Sequence, residues 1–220
     1  MRPELVIFDC DGVLVDSEPP ANRVLAEYLK AHGLDMTVEQ VMATFVGLSL
    51  KSCAEIAERD HGVRLPESFI PDIRRLTAEV LAKEVKPVPH VRAAVAAMDC
   101  AACVASSGEI EKMRLTLGTT GLLDLFEGRL YSATMVEHGK PAPDLFLHAA
   151  AGMGADPARC AVIEDSPFGV QAARAAGMRA IGFTGGGHRD HDRDAPMLAE
   201  AGARDVIETM SALPALLGFV

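Results

Sequence analysis

The sequence predicts an α/β fold, a parallel-sheet core with a helical lobe inserted after the first strand. Two patterns carry that prediction. Short apolar runs alternate with helical periods over most of the chain. One long stretch, about 18–85, carries helical patterns only. At 220 residues the chain is long enough for a sizeable core and a smaller second lobe.

Each element follows from its own residues. Leu5–Phe8 is the first apolar run, and it ends on an acidic turn at Asp9 and Asp11. Residues 21–31, 50–61 and 66–84 are then apolar at helical spacing. Residues 102–105 read as a strand running into Ser106-Ser107-Gly108, with helix over 110–117. Residues 129–132 form a short strand and 143–153 a helix. Residues 160–163 run into Glu164-Asp165-Ser166, and 169–176 are helical, with Gly177 placed to stop the helix. Arg179–Phe183 runs into Thr184-Gly185-Gly186-Gly187. The charged stretch 188–194 reads as a solvated loop. The expected domains are 1–17 with 86–220 as the α/β core, and 18–85 as the helical lobe. No repeat or low-complexity tract interrupts them.

Composition narrows the class. Hydrophobic residues make up 49% and charged residues 24%, the balance of a globular chain rather than a disordered one. A net charge of -10 argues against nucleic-acid binding through the bulk field. An anionic ligand would need local donors or a metal. The first strand starts close to Met1, so no signal or transit peptide is expected. No apolar run approaches the roughly 20 residues of a membrane span. Five cysteines, an odd number, read as buried free thiols in a reducing cytoplasm. Cys100 and Cys103 fit C-x-x-C but lack a second pair, so neither a redox nor a zinc role is expected. The methionines read as core filler.

Ligands of an open parallel sheet bind outside the carboxyl ends of its strands. The polar residues collect there. Asp9 and Asp11 follow one strand, Ser106 and Ser107 another, and Glu164 and Asp165 a third, while Lys140 precedes a helix. Three crowded carboxylates call for a divalent cation, and oxygen ligands without a His or Cys cluster favour magnesium over zinc. Ser106 and neighbouring amides suit phosphate oxygens, and Lys140 adds a positive point charge. A carboxylate such as Asp9 can act as a nucleophile and form an acyl phosphate, and a second, such as Asp11, can shuttle the protons. Gly12 allows a sharp turn after the pair.

Each residue alone also has an ordinary reading. Asp9 and Asp11 could form a turn. Ser106-Ser107 and Glu164-Asp165-Ser166 could cap helices, and Lys140 could be a surface lysine. Asp16 and Glu18 read as hinge or capping groups. Gly185 to Gly187 could cradle an anion, but read more simply as a flexible loop. His188 and His191, spaced i, i+3, would suit a metal only on a helix.

Together, in order, these segments resemble the haloacid-dehalogenase-like (HAD) superfamily. Asp9-Cys10-Asp11-Gly12-Val13-Leu14-Val15-Asp16-Ser17 is similar to its first motif and Val104-Ala105-Ser106-Ser107 to its second. Lys140-Pro141-Ala142-Pro143-Asp144 is similar to the third and Val162-Ile163-Glu164-Asp165-Ser166 to the fourth. The resemblance implies a Rossmann-like core with a helical cap. It implies Asp9 as nucleophile and metal ligand, and Asp11 as general acid/base that binds metal through its carbonyl. It further implies Ser106 as phosphate ligand, Lys140 as partner of nucleophile and phosphate, and Asp165 as a magnesium ligand, with Glu164 direct or through water. Dehalogenases of the superfamily usually lack the second aspartate, so Asp11 points to phosphoryl chemistry.

Within the superfamily the chain resembles the β-phosphoglucomutase-like group, which includes sugar-phosphate phosphatases. The mutases carry a His early in the cap and an Arg after its Gly-x-Ser turn. Here those places hold Ala21 and, after Gly47-Leu48-Ser49, Leu50. Neither can hold a second phosphate, although Lys51, Arg74 or Arg75 could substitute. The expectation is therefore a magnesium-dependent phosphatase of a small phosphorylated metabolite. A phosphosugar mutase is the alternative, and a silent binding module on the same fold a weaker third. Glu18, Ser49, Lys51 and Arg75 are the candidates for cap specificity.

Overall fold

The structure, a computed structural model, describes residues 2–45 and 48–219, so Gly47 of the Gly-x-Ser turn lies outside the described residues. In chain order the elements are β1 (Leu5–Phe8), β2 (Val15–Asp16), α1 (Glu18–Ala31), α2 (Val38–Phe45), α3 (Leu50–His61), α4 (Phe69–Glu84), β3 (Lys86–Pro87) and α5 (Val91–Ala96). Then come β4 (Ala101–Ser106), α6 (Ile110–Thr119), β5 (Leu130–Ser132), α7 (Asp144–Gly152), β6 (Cys160–Glu164), α8 (Pro167–Ala175), β7 (Arg179–Phe183), α9 (His191–Ala201), β8 (Asp205–Ile207) and α10 (Leu213–Leu217).

Six strands form one sheet in the order β5-β4-β1-β6-β7-β8. Every neighbouring pair is parallel, as the alternating pattern predicts. All residues of β1 and β6 are buried, and only Ala101 of β4 is exposed. Burial on both faces explains why these strands read as unbroken apolar runs rather than alternating ones. On one face α7 and α8 cover the sheet through small residues, with Ala149, Ala150, Ala172 and Ala173 set against Ile7, Cys103 and Val162. Phe8 meets Phe126 edge-on, with ring centroids 5.9 Å apart.

The chain divides into two compact units: the segments up to Asp16 and from Lys86 onward, and Ser17–Val85 between them. The described part of the second unit is helical. Val24, Leu25 and Leu29 of α1 share a core with Val41, Phe45, Cys53, Phe69 and Ile73. The short α2 was not anticipated. In the first unit, β2 and β3 pair antiparallel, Val15 opposite Pro87 and Asp16 opposite Lys86. Two-residue strands are too short to show a period in sequence.

Two expectations are corrected beyond β7. Stretch 188–194 is not a solvated loop. Asp190 caps α9 by accepting the Arg193 N–H at 3.1 Å, and Asp194 and His188 are buried. The triglycine is not flexible slack either. A Cβ at Gly185 would lie 2.2 Å from the Glu208 carbonyl oxygen, at Gly186 2.8 Å from that of Gly12, and at Gly187 2.5 Å from Asp16 Oδ2. Glycine is required there because the neighbours leave no room. Asp16 has the structural role expected of it, accepting the Gly187 N–H at 2.9 Å.

All five cysteines are free, with Cys100 half-buried and the others buried. Burial pushes the Cys103 thiol up to about 12, which leaves it protonated and poorly nucleophilic. Met98, Met113, Met178 and Met210 fill core space, but Met135 and Met197 are exposed. Among the described residues no helix is long and apolar enough to cross a membrane.

Gly185→Ala tests the packing argument. Overpacking against a backbone carbonyl should cost about 1–3 kcal/mol, read as a lower urea midpoint at unchanged m-value. A neutral substitution would show that the loop yields.

Candidate active site

The strand order reverses around β1, which pairs with β4 on one side and β6 on the other. Such a switch point opens a crevice at the strands' carboxyl ends. Phe8 is level with Val104 and Ile163, so the next residues of the three strands emerge together. The Asp9 N–H still bonds the Ile163 carbonyl, at 3.0 Å. At Gly12 the chain turns with φ +78°, and a Cβ there would lie 2.3 Å from Asp165 Oδ2.

Lys140 joins two of the strand ends. Its ammonium donates to Asp9 Oδ1 at 2.6 Å, to Glu164 Oε1 at 2.5 Å and to the Ala105 carbonyl at 3.2 Å. The lysine side chain is only 6% exposed, so it is not a surface residue. Its three bonds use all three ammonium protons. Asp9 Oδ2 keeps no hydrogen-bond partner among the described residues.

Glu164 is occupied on both oxygens. Oε2 accepts the Ser166 N–H at 3.0 Å and its hydroxyl at 2.9 Å. Ser166 in turn caps α8 by accepting the Gly169 N–H. A Cβ at Gly169 would fall 1.9 Å from the Glu164 carboxyl, so only glycine fits. These partners favour an ion-pair and capping role for Glu164 over direct metal contact.

Asp165 is held from the other side. Its Oδ2 accepts from His188 Nε2 at 3.1 Å and from Arg189 Nε and Nη2 at 3.2 and 3.1 Å. Asp11 Oδ2 receives the Lys112 ammonium at 2.9 Å. Ser106 is buried, with its hydroxyl accepting the Gly108 N–H at 3.2 Å. A Cβ at Gly108 would lie 3.6 Å from both Asp11 Oδ2 and Ser106 Oγ, so the two line the same space. Ser107 is exposed beside them.

The electrostatics follow from crowding. Burial pushes the Asp9 carboxyl well up, the Glu164 and Asp165 charges add to that, and only Lys140 opposes it. Burial works against the Lys140 charge too, but Asp9 and Glu164 override it and hold the ammonium above its ordinary range. Burial also opposes ionisation of Asp165, yet the His188 and Arg189 donors outweigh it and hold that carboxyl low.

The four sequence motifs thus converge in the α/β unit. Lys112, His188 and Arg189 were missed as site residues. Lys112 stands in the first turns of α6 with no motif around it, and the other two lay in the supposed loop. His188 and His191 do not form a metal pair, since His188 meets Asp165 and His191 Nδ1 meets Thr184 Oγ1 at 2.7 Å. In the helical unit, Ser49 caps α3, Glu18 accepts from Asn22, Lys51 faces Glu55 and Arg75 faces Glu79 and Asp72. Ala21 lies in α1 and Leu50 starts α3.

Among the described residues no three His, Cys, Asp or Glu side chains form a group that could hold a metal ion. Asp9 and Asp165 fit a hard cation nonetheless. Each keeps one carboxylate oxygen without a hydrogen-bond partner among the described residues, and magnesium needs only one or two protein carboxylates.

Fold and site together define a Rossmann-like α/β protein with a carboxylate-lysine centre at the sheet switch point. A sequence model of the haloacid dehalogenase-like hydrolase family matches residues 3–177. The 6-phosphogluconate phosphatase of Escherichia coli (strain K12) is 31% identical over 188 residues, 85% of either chain. The β-phosphoglucomutase of Bacillus subtilis (strain 168) is 30% identical over 203 residues, 80% of this chain and 81% of its own. A haloacid dehalogenase-like protein of unknown function, ATU0790 from Agrobacterium tumefaciens str. C58, superposes with a TM-score of 0.89 at 37% identity, over 97% of both chains. The chain belongs to the haloacid dehalogenase-like hydrolase family, in its branch of phosphatases and β-phosphoglucomutases, and is a phosphoric monoester hydrolase.

Lys140→Met tests the ion-pair geometry. Removing the lysine strands two buried carboxylates, at a cost of about 3–5 kcal/mol. Asp9, already raised, would rise further. A carboxyl with a raised folded-state pKa binds more protons folded than unfolded, so stability falls as pH rises. The deficit in urea denaturation should therefore be smaller at pH 5 than at pH 8. A deficit independent of pH would contradict this picture. In the wild type the raised Lys140 contributes in full at neutral pH, and its contribution fades only above the ordinary lysine pKa of about 10.4.

Proposed function

We propose that this protein is a magnesium-dependent phosphatase of a small phosphorylated metabolite, a sugar phosphate, acting through an aspartyl-phosphate on Asp9. The observation that carries it is Asp9 itself, tied at Oδ1 by Lys140, with Oδ2 unpartnered among the described residues. The 6-phosphogluconate phosphatase relative supports the substrate class. Free thiols support a reducing, cytoplasmic setting. In this reading the helical unit serves as the cap, the lobe that selects the substrate.

In this mechanism the Asp9 carboxylate attacks phosphorus and the ester P–O bond breaks. Asp11 gives its proton to the leaving alkoxide, then takes one from the water that attacks the aspartyl-phosphate. Phosphate leaves and Asp9 is regenerated. Lys112 holds the Asp11 carboxylate in place between the two proton transfers. Ser106 and the amide of Ser107 bind the phosphoryl oxygens, and the Lys140 ammonium, its protons committed, adds positive charge beside them. Asp9, Asp165 and the Asp11 carbonyl would hold magnesium, which neutralises charge on the carboxylates and phosphoryl group when bound.

The mutase reading rests on the Bacillus subtilis relative, and Ala21 and Leu50 count against it. With β-glucose 1-phosphate and a trace of bisphosphate, the phosphatase releases free phosphate. Glucose 6-phosphate without free phosphate would instead identify a mutase. A panel of phosphorylated metabolites, followed by phosphate release, tests the substrate class.

Asp9→Asn should keep the fold by circular dichroism and leave less than a few per cent of turnover, since the amide is a far weaker nucleophile. Retained activity above that level sinks the nucleophile assignment. EDTA should stop the wild type and added magnesium restore it. Indifference to chelation rejects the metal assignment.

A further inference from the structure

The segment after β7 has a part to play that the four motifs do not assign. All three donors to Asp165 converge on one oxygen. His188 Nε2, Arg189 Nε and Arg189 Nη2 reach Oδ2 at 3.1, 3.2 and 3.1 Å. Oδ1 receives none among the described residues. Hydrogen-bonding capacity on Oδ2 is thereby used up, and that oxygen is anchored by two side chains at once.

The donors are themselves held in place. The His188 side chain is 2% exposed and that of Arg189 12%. Gly12 and Gly186 pack directly on the imidazole, with Cβ positions 2.8 and 3.2 Å from His188 Cε1. Asp16 pins Gly187 by its N–H, and the Arg189 N–H bonds the Gly186 carbonyl at 2.9 Å. His188 Nδ1 is buried without a hydrogen-bond partner among the described residues. Behind Arg189, Asp194 Oδ2 lies 3.9 Å from Nη1 and is also held by Arg193. The guanidinium charge is therefore shared between two carboxylates.

We propose that His188 and Arg189 are positioning residues that lock Asp165 with Oδ1 presented to the divalent cation. The inference rests on the magnesium reading above. Two effects oppose each other. Locking saves the cation the work of ordering a carboxylate that Asp9 and Glu164 repel. The Arg189 charge, by contrast, repels a cation. Because that charge lies beyond the far oxygen and is shared with Asp194, the locking effect prevails. Hydrogen-bond partners of metal-ligating carboxylates typically contribute 10–100-fold to metal affinity.

Calorimetric titration of the 220-residue chain with magnesium, without substrate, tests this. Arg189→Ala and His188→Ala should each weaken the magnesium Kd by about 10–100-fold. His188→Gln, which keeps an N–H donor, should recover part of the loss. Unchanged or tighter binding in Arg189→Ala overturns the proposal, and tighter binding would identify Arg189 as a competitor of the cation. Should His188→Ala fail to fold, Arg189→Ala and Arg189→Lys carry the test, the lysine falling between alanine and wild type. A wild type that binds no magnesium defeats the functional reading together with this one. A wild type that binds, with indifferent variants, defeats this inference alone.

Discussion

One buried ammonium organises the centre of this molecule. Lys140 reaches from the segment before α7 to carboxylates at the ends of β1 and β6. Either carboxylate alone would be costly so far from water. With the lysine between them they form a three-group ion cluster whose polar atoms are nearly all bonded. The cluster joins neighbouring strands at the point where the sheet reverses order. It holds Asp9 in one orientation, with one oxygen engaged and the other without a hydrogen-bond partner among the described residues.

That arrangement depends as much on missing atoms as on charges. Gly169 leaves the space that Glu164 occupies, and Gly12 leaves the space of the Asp165 carboxyl. Gly186 makes room for His188, and Gly187 for Asp16. A methyl group at any of these positions would meet a functional or supporting side chain. Close approach of backbone to carboxylate shortens the distances over which charges pair. It also denies the side chains alternative rotamers, which is the preorganisation that phosphoryl chemistry requires.

The fold class was legible because buried parallel strands write continuous apolar runs, and those survive in sequence without any partner information. Leu5–Phe8 and Arg179–Phe183 were located to the residue. The convergence of Asp9, Lys140 and Asp165 was legible only through the order of the motifs, since no local spacing links residues so far apart. Lys112, His188 and Arg189 were not legible. Each acts by reaching a carboxylate that is remote in the chain, and a charged stretch such as 188–194 looks the same whether solvated or folded inward. Asp194 illustrates the ambiguity. Among Asp190, Asp192 and Asp194, only Asp194 is buried, where it accepts from Arg193. β8 and the β2–β3 pair were too short to show any period.

The pairing of charges bears on why the proposed chemistry wants a cation at all. Asp9 and Glu164 share Lys140, Asp11 faces Lys112, and Asp165 faces Arg189. Four carboxylates thus meet three fixed cations. The site is slightly negative before any substrate arrives, on a chain whose net charge is already -10. A phosphate monoester adds about two further negative charges at neutral pH. The lysines cannot offset them without abandoning the carboxylates they hold, because the Lys140 protons are all committed. In the proposed mechanism a divalent ion on Asp9 and Asp165 would supply the missing charge without breaking those pairs. It would also oppose the crowding that pushes Asp9 toward its protonated, non-nucleophilic form. The fixed cations therefore set the carboxylates in place, and the proposed mobile one would make room for the phosphoryl group.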